Sequence, residues 1–236
     1  MTYPTTSPTI APTFGYAGLP ILIARMTGDE KHDPASNSTI DVLWVLYDRI
    51  LRVSPATVDD PDRDRFLLSK GHGPMAYYAV LAAKGFIPPD WLDGFATFAS
   101  PLGRHPDRLL IPGVEISSGS LGHGLPLGVG VALGLRAQGR PARIVVLVGD
   151  AELDEGTNAE AIAFARAANL GSLTVVVIDN RSSTHGWPGG IASRFAVHGW
   201  TTATVDGRDQ DEIEAALRGQ VPGQPHVVVA RVGRKA

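Results

Sequence analysis

Arg143-Ile144-Val145-Val146-Leu147-Val148-Gly149-Asp150-Ala151-Glu152-Leu153-Asp154-Glu155-Gly156 is followed, after a helical stretch, by Leu173-Thr174-Val175-Val176-Val177-Ile178-Asp179-Asn180. Two short β-branched runs thus flank a helix. The first ends on Asp150 and the second on Asn180. In an open parallel sheet, ligands sit beyond the carboxyl ends of the strands. Two oxygen side chains delivered to that edge suggest a hard-cation site. Magnesium suits it: few protein oxygens, with phosphate oxygens completing an octahedral shell.

Outward from this pair, strands alternate with helices. Further strands are expected over 65–69, 200–205 and 226–232, beside 143–148 and 173–179. A short helix is expected over 19–27. Ser38 is read as the N-cap of the next helix, with Asp41 three residues on. Val42, Leu43, Val45, Leu46, Ile50 and Leu51 then recur at helical spacing. Helices are also expected over 75–84, 89–98, 157–168 and 210–218. Residues 117–134 are glycine-rich: the first half reads as a loop and the second as a helix with small residues on one face. The order implies an α/β fold, a mostly parallel sheet with helices on both faces. Residues 1–18 are rich in Thr, Pro and Gly and read as irregular. The expected organisation is an N-terminal arm over 1–30 and one α/β domain over 31–236.

Composition excludes several classes. The chain is 44% apolar and 19% charged, a globular balance. A net charge of −3 offers no basic footprint for nucleic acid. With no cysteine, there is no disulfide framework, thiol nucleophile or cysteine metal site. No segment reaches transmembrane length, and the N-terminus lacks the basic start and apolar core of a signal peptide. A cytoplasmic protein is expected.

Each chemical candidate has a plainer reading. Asp150 could cap the next helix, and Asn180 could stand in a turn. Gly119, Leu121 and Gly122 could bring backbone N–H groups to a phosphate ahead of a helix N-terminus, or form an ordinary loop. Gly128, Gly130 and Gly134 could pack that helix closely; their spacing does not fit a dinucleotide fingerprint. Glu155 and Glu160 could be acids favoured at a helix start. His72 and His105 lie in Gly/Pro loops and His32 in the early segment, where a lone histidine is often a bystander. His198 and His226 read as structural.

Several blocks together resemble the transketolase family. Gly149-Asp150-Ala151 … Asn180 is similar to its thiamine-diphosphate motif, Gly-Asp-Gly and then Asn about thirty residues on. Asp64-Arg65-Phe66-Leu67-Leu68-Ser69-Lys70-Gly71-His72 resembles its Asp-Arg-Phe-x-Leu-Ser-Lys-Gly-His block. Gly103-Arg104-His105-Pro106-Asp107 and Pro112-Gly113-Val114-Glu115 … Gly119-Ser120-Leu121-Gly122-His123-Gly124 match two more. The resemblance runs from about Lys31 to the end.

It implies thiamine diphosphate and magnesium as cofactors. The metal would be held by Asp150, Asn180 and the backbone carbonyl near Ser182. The cofactor would be bound by His72, Gly119, Ser120, Leu121, Gly149, Asp150, Ala151, Glu152 and Asn180. His72, His105 and His32 would line the substrate channel. Glu155 would meet a catalytic glutamate of another chain at a subunit interface. Only the diphosphate-binding half of the family is matched. A separate chain carrying the pyrimidine-binding and C-terminal domains is therefore expected, in an α2β2 assembly. The implied reaction is transfer of a two-carbon ketol unit from a ketose to an aldose. The alternatives are a related carboligase or decarboxylase, or a non-catalytic scaffold protein. Ala151 for Gly, Arg104 for Gly, His123 for Gln, and Lys31 and Asp33 around His32 depart from the family pattern. So does the missing late segment with a substrate histidine. These departures put the usual sugar-phosphate substrates in question.

Overall fold

A computed structural model describes residues 14–27, 37–71 and 74–233. Its strands are β1 (Arg65–Leu68), β2 (Ile144–Gly149), β3 (Leu173–Asp179), β4 (Thr201–Asp206) and β5 (His226–Arg231). They pair in parallel throughout, in the order β1-β2-β3-β5-β4. The helices are α1 (Leu19–Ala24), α2 (Ile40–Val45), α3 (Pro74–Ala83), α4 (Gly124–Ala137), α5 (Gly156–Ala167), α6 (Ile191–Ala196) and α7 (Gln210–Arg218). A single π-helical turn, Leu46–Ile50, prolongs α2.

Strand alternation divides the molecule into two cores. Phe66, Leu68, Val145, Leu147, Val176, Ile178, Val228 and Ala230 point to one face, where α1, α2, α3 and α7 pack. Leu67, Ile144, Val146, Val148, Val175, Val177, Val227 and Val229 point to the other, against α4, α5 and α6. With both faces covered, every residue of β2 is buried, which is why its sequence is an unbroken apolar run. At the sheet edge, β4 buries neither face fully, and its sequence is correspondingly polar, with three threonines in six residues. Every residue of α3 is buried, in keeping with a helix apolar on all sides.

The approach of α4 to the sheet depends on a missing side chain. A Cβ at Gly128 would lie 2.5 Å from Val146 Cγ2 on β2. Gly130 and Gly134, expected to pack the same way, face open space. Only the positions on the sheet-facing side of the helix are constrained.

Strand and helix positions otherwise follow the expectation closely, with five corrections. The segment expected as a helix over 89–98 is a 3-10 turn, Pro89–Gly94, which ends where Ala96 enters the left-handed region at φ 57°. Thr39, not Ser38, stands at the N-cap of α2. Two elements were not anticipated: α6, and a 3-10 turn over Ala151–Asp154 directly after β2. Glu155 lies outside helix α5, at its N-cap. Among the described residues, no helix is long and apolar enough to cross a membrane.

Candidate functional site

Four segments meet at the carboxyl ends of β1, β2 and β3. They are Ser69-Lys70-Gly71 after β1, the 3-10 turn after β2, Asn180–Ser183 after β3, and the glycine loop 117–123 leading into α4.

Asp150 is buried, and its carboxylate is surrounded by donors. Oδ1 accepts from the Ala151 N–H at 2.8 Å and from the Ser182 hydroxyl. Oδ2 accepts from the Ser182 N–H at 2.7 Å and the Ser183 N–H at 3.3 Å. These last contacts depend on Arg181, whose φ of 57° folds the chain back toward β2. Ser182 thus turns its N–H and hydroxyl to Asp150. Asn180 is buried beside this turn, and its Oδ1 has no hydrogen-bond partner. A buried amide oxygen left unpaired costs about 1–3 kcal/mol. Such an orphan is a ready ligand for a hard cation. Among the described residues, no group of three or more His, Asp or Glu side chains could hold a metal. A cation here would therefore draw on Asn180, Asp150 and oxygens supplied by a ligand, as magnesium does with phosphates.

Ala151 lies in the 3-10 turn, in helical conformation, so no left-handed backbone at this position demands glycine. Gly149 ends β2, where Lys70 packs over it: a Cβ there would lie 3.5 Å from Lys70 Cγ.

Glu152 is buried, with 2% of its surface exposed, and its carboxylate points inward. Oε1 accepts from the Ser69 hydroxyl and, at 3.0 Å, from the Gly122 N–H. Oε2 accepts from the Gly149 N–H at 3.3 Å. Burial raises the Glu152 carboxyl above its ordinary range, opposed by these three bonds and by the charge of Lys70.

In the glycine loop, the Gly122 N–H goes to Glu152 and its carbonyl accepts from Thr157 Oγ1 at 2.7 Å. Its φ is +81°, and a Cβ there would lie 2.7 Å from both Glu155 Cβ and Thr157 Oγ1. The Gly124 N–H donates to Ser69 Oγ at 3.0 Å. The Gly122 N–H, expected as a phosphate donor, is therefore already used. The N–H groups of Gly119, Ser120 and Leu121 make no hydrogen bond within the described residues. They are the open donors of the loop.

His105 lies against this loop: a Cβ on Gly119 would come 2.9 Å from its Cγ. Arg104 and His105 are exposed. The exposed Glu155 makes no side-chain cap bond. His72 and His32 lie outside the described residues, as do Lys31 and Asp33. His226 is structural: Thr201 Oγ1 lies 2.8 Å from Nδ1 and the Ala216 carbonyl 3.0 Å from Nε2. Sequence reading overlooked Ser69, Thr157 and Asn158, whose Nδ2 donates to the Glu152 carbonyl at 2.6 Å. Ser69 lies within a block that resembles the family, but nothing in one sequence pairs it with Glu152, 83 positions away.

A family model described as the thiamine diphosphate binding domain of transketolase matches residues 26–231. One subunit of the apulose-4-phosphate transketolase of Actinobacillus succinogenes is 36% identical over 212 residues, 87% of this chain and 77% of that protein. A protein of Rhodococcoides fascians named ferredoxin fas2 is 61% identical over 224 residues, 94% of this chain and 74% of that protein. Ferredoxin clusters are held by cysteine thiolates, which none of these 236 residues can supply. A solved transketolase variant of Pichia stipitis superposes with TM-score 0.73 at 26% identity, covering 85% of this chain. This chain spans only 36% of that one. The chain belongs to the transketolase family of enzymes, as a thiamine diphosphate binding domain.

Proposed function

We propose that this chain is the diphosphate-binding subunit of a two-chain transketolase-type enzyme that transfers a two-carbon ketol unit from a ketose to an aldose. The observation that carries the reading is the pairing of open donors with open acceptors at one sheet edge. Gly119, Ser120 and Leu121 offer unpaired N–H groups, and Asn180 Oδ1 is a buried oxygen without a partner. The first set suits a diphosphate, the second the magnesium ion that accompanies it.

Thiamine diphosphate, when bound, supplies the electron sink for carbon–carbon bond cleavage. The residues of this chain bind and orient it. Asn180 and Asp150 would hold the cation, with the backbone carbonyl near Ser182 as the third member of the expected ligand set. The open N–H groups of Gly119, Ser120 and Leu121 would bind the diphosphate, beside Gly149 and Ala151, whose N–H groups donate to Glu152 and Asp150. His105 would meet the substrate, as the family resemblance implies also of His72 and His32. Glu155 is exposed for contact with a second chain.

The Actinobacillus succinogenes relative is itself one subunit of its enzyme, which supports a separate partner chain here. That chain would carry the pyrimidine-binding and C-terminal domains in a cytoplasmic α2β2 assembly. The test is co-purification of the tagged chain with magnesium and thiamine diphosphate present. A partner of transketolase type, bound cofactor and ketol transfer to an aldose are expected. A stable complex that binds no thiamine diphosphate would refute the reading and favour a scaffold.

A further inference from the structure

We propose that Glu152 is a positioning residue: its buried carboxylate ties the glycine loop to the ends of β1 and β2 and so sets where the open N–H groups stand. The inference deepens the proposed function and rests on it for the identity of the ligand, but its geometric part stands alone.

Three donors from three separate segments converge on one carboxylate. Ser69 Oγ comes from the end of β1, the Gly122 N–H from the glycine loop, and the Gly149 N–H from the end of β2. Ser69 relays the tie onward, because its hydroxyl oxygen also accepts the Gly124 N–H at 3.0 Å. The loop is thus gripped at Gly122 and Gly124, immediately after its three open N–H groups. Thr157 holds the Gly122 carbonyl from the opposite side. The Glu152 backbone is itself pinned, its carbonyl accepting from the buried Asn158. The Glu152 oxygens are turned to these three donors rather than to the open N–H groups. Its effect passes through Gly122. Converging charge-assisted bonds of this kind give geometric specificity beyond that of neutral pairs.

The test reads single amides by hydrogen exchange in the full chain, then binding of magnesium–thiamine diphosphate in the complex with its partner. In the wild type, the Gly122 and Gly124 amides should exchange at least about tenfold more slowly than those of Gly119, Ser120 and Leu121. Glu152→Ala should abolish protection at Gly122. Glu152→Gln should restore part of it, since one amide oxygen can still accept from Ser69 and Gly122 while its NH₂ opposes the Gly149 N–H. Cofactor affinity should fall about tenfold or more in Glu152→Ala and less in Glu152→Gln, with the sugar KM unchanged at saturating cofactor. If Glu152→Ala does not fold, Ser69→Ala breaks the same tie from the β1 side and should also free Gly124. A wild-type Gly122 amide as exposed as Leu121 overturns the proposal. So does a variant with freed Gly122 and unaltered affinity, or one that only melts earlier. A wild-type complex that binds no thiamine diphosphate sinks the functional reading instead, and the exchange pattern still decides the role of Glu152.

Discussion

Replacing Asn180 by leucine should separate stability from binding. The two side chains share branching and heavy-atom number, leucine being the bulkier, and Asn180 is only 6% exposed. Its Oδ1 is buried without a partner, a state that costs about 1–3 kcal/mol. Removing that oxygen removes the penalty, so the ligand-free chain should be as stable as wild type or up to about 2 kcal/mol more stable. In a domain of this size that raises the melting temperature by roughly 4–8 °C at most. Magnesium–thiamine diphosphate should behave oppositely. At a hundredfold excess over Kd it stabilises the wild type by about 2.7 kcal/mol. The variant, lacking a cation ligand, should lose most of that increment. The assay is thermal denaturation with and without cofactor, on the chain and on its complex with the partner. A ligand-free variant destabilised by more than about 1 kcal/mol, with the cofactor increment intact, would make Asn180 a structural residue and refute the reasoning.

Gly122→Ala should destabilise the chain by about 2–4 kcal/mol in urea denaturation. A left-handed backbone costs a non-glycine residue about 1–2 kcal/mol, and the new Cβ would press on Glu155 and Thr157. Two glycines of α4 should diverge. Gly128→Ala, driven toward Val146, should cost about 1–3 kcal/mol, while Gly130→Ala, in open space within a helix, should add about 0.5–1 kcal/mol; equal effects would refute the packing described. Burial holds the His226 imidazole below its ordinary range, so the folded state binds fewer protons than the unfolded chain. Its contribution is therefore complete above about pH 6.5, the unfolded value, and declines as pH falls below it. Comparing wild type with His226→Gln from pH 7.5 to 5 should show a flatter stability profile in the variant; identical slopes would exclude the effect.

The sequence by itself determined the layers. An apolar run without alternation, such as Ile144–Val148, suits a strand covered on both faces, and the helix periods between such runs supply the cover. It also located Asp150 and Asn180, because a parallel strand that ends on a polar residue delivers it to the ligand edge. These are local patterns joined to a general rule. The irregular connections were less legible. The 3-10 turn over Ala151–Asp154 and the short α6 have little periodicity of their own and are held by tertiary contacts. Which N–H groups of the glycine loop remain open was beyond the sequence, since it depends on Glu152 and Thr157, 30 and 35 positions away. The same holds for Gly128 against Gly130: both read as small residues on a helix, and only the seating of α4 on β2 gives one of them a neighbour at 2.5 Å. Glu152 shows the division most plainly. The family resemblance implies a cofactor ligand there, and the fold turns its carboxylate inward, where donors from the ends of β1 and β2 and from the glycine loop meet at one buried point and need an acceptor.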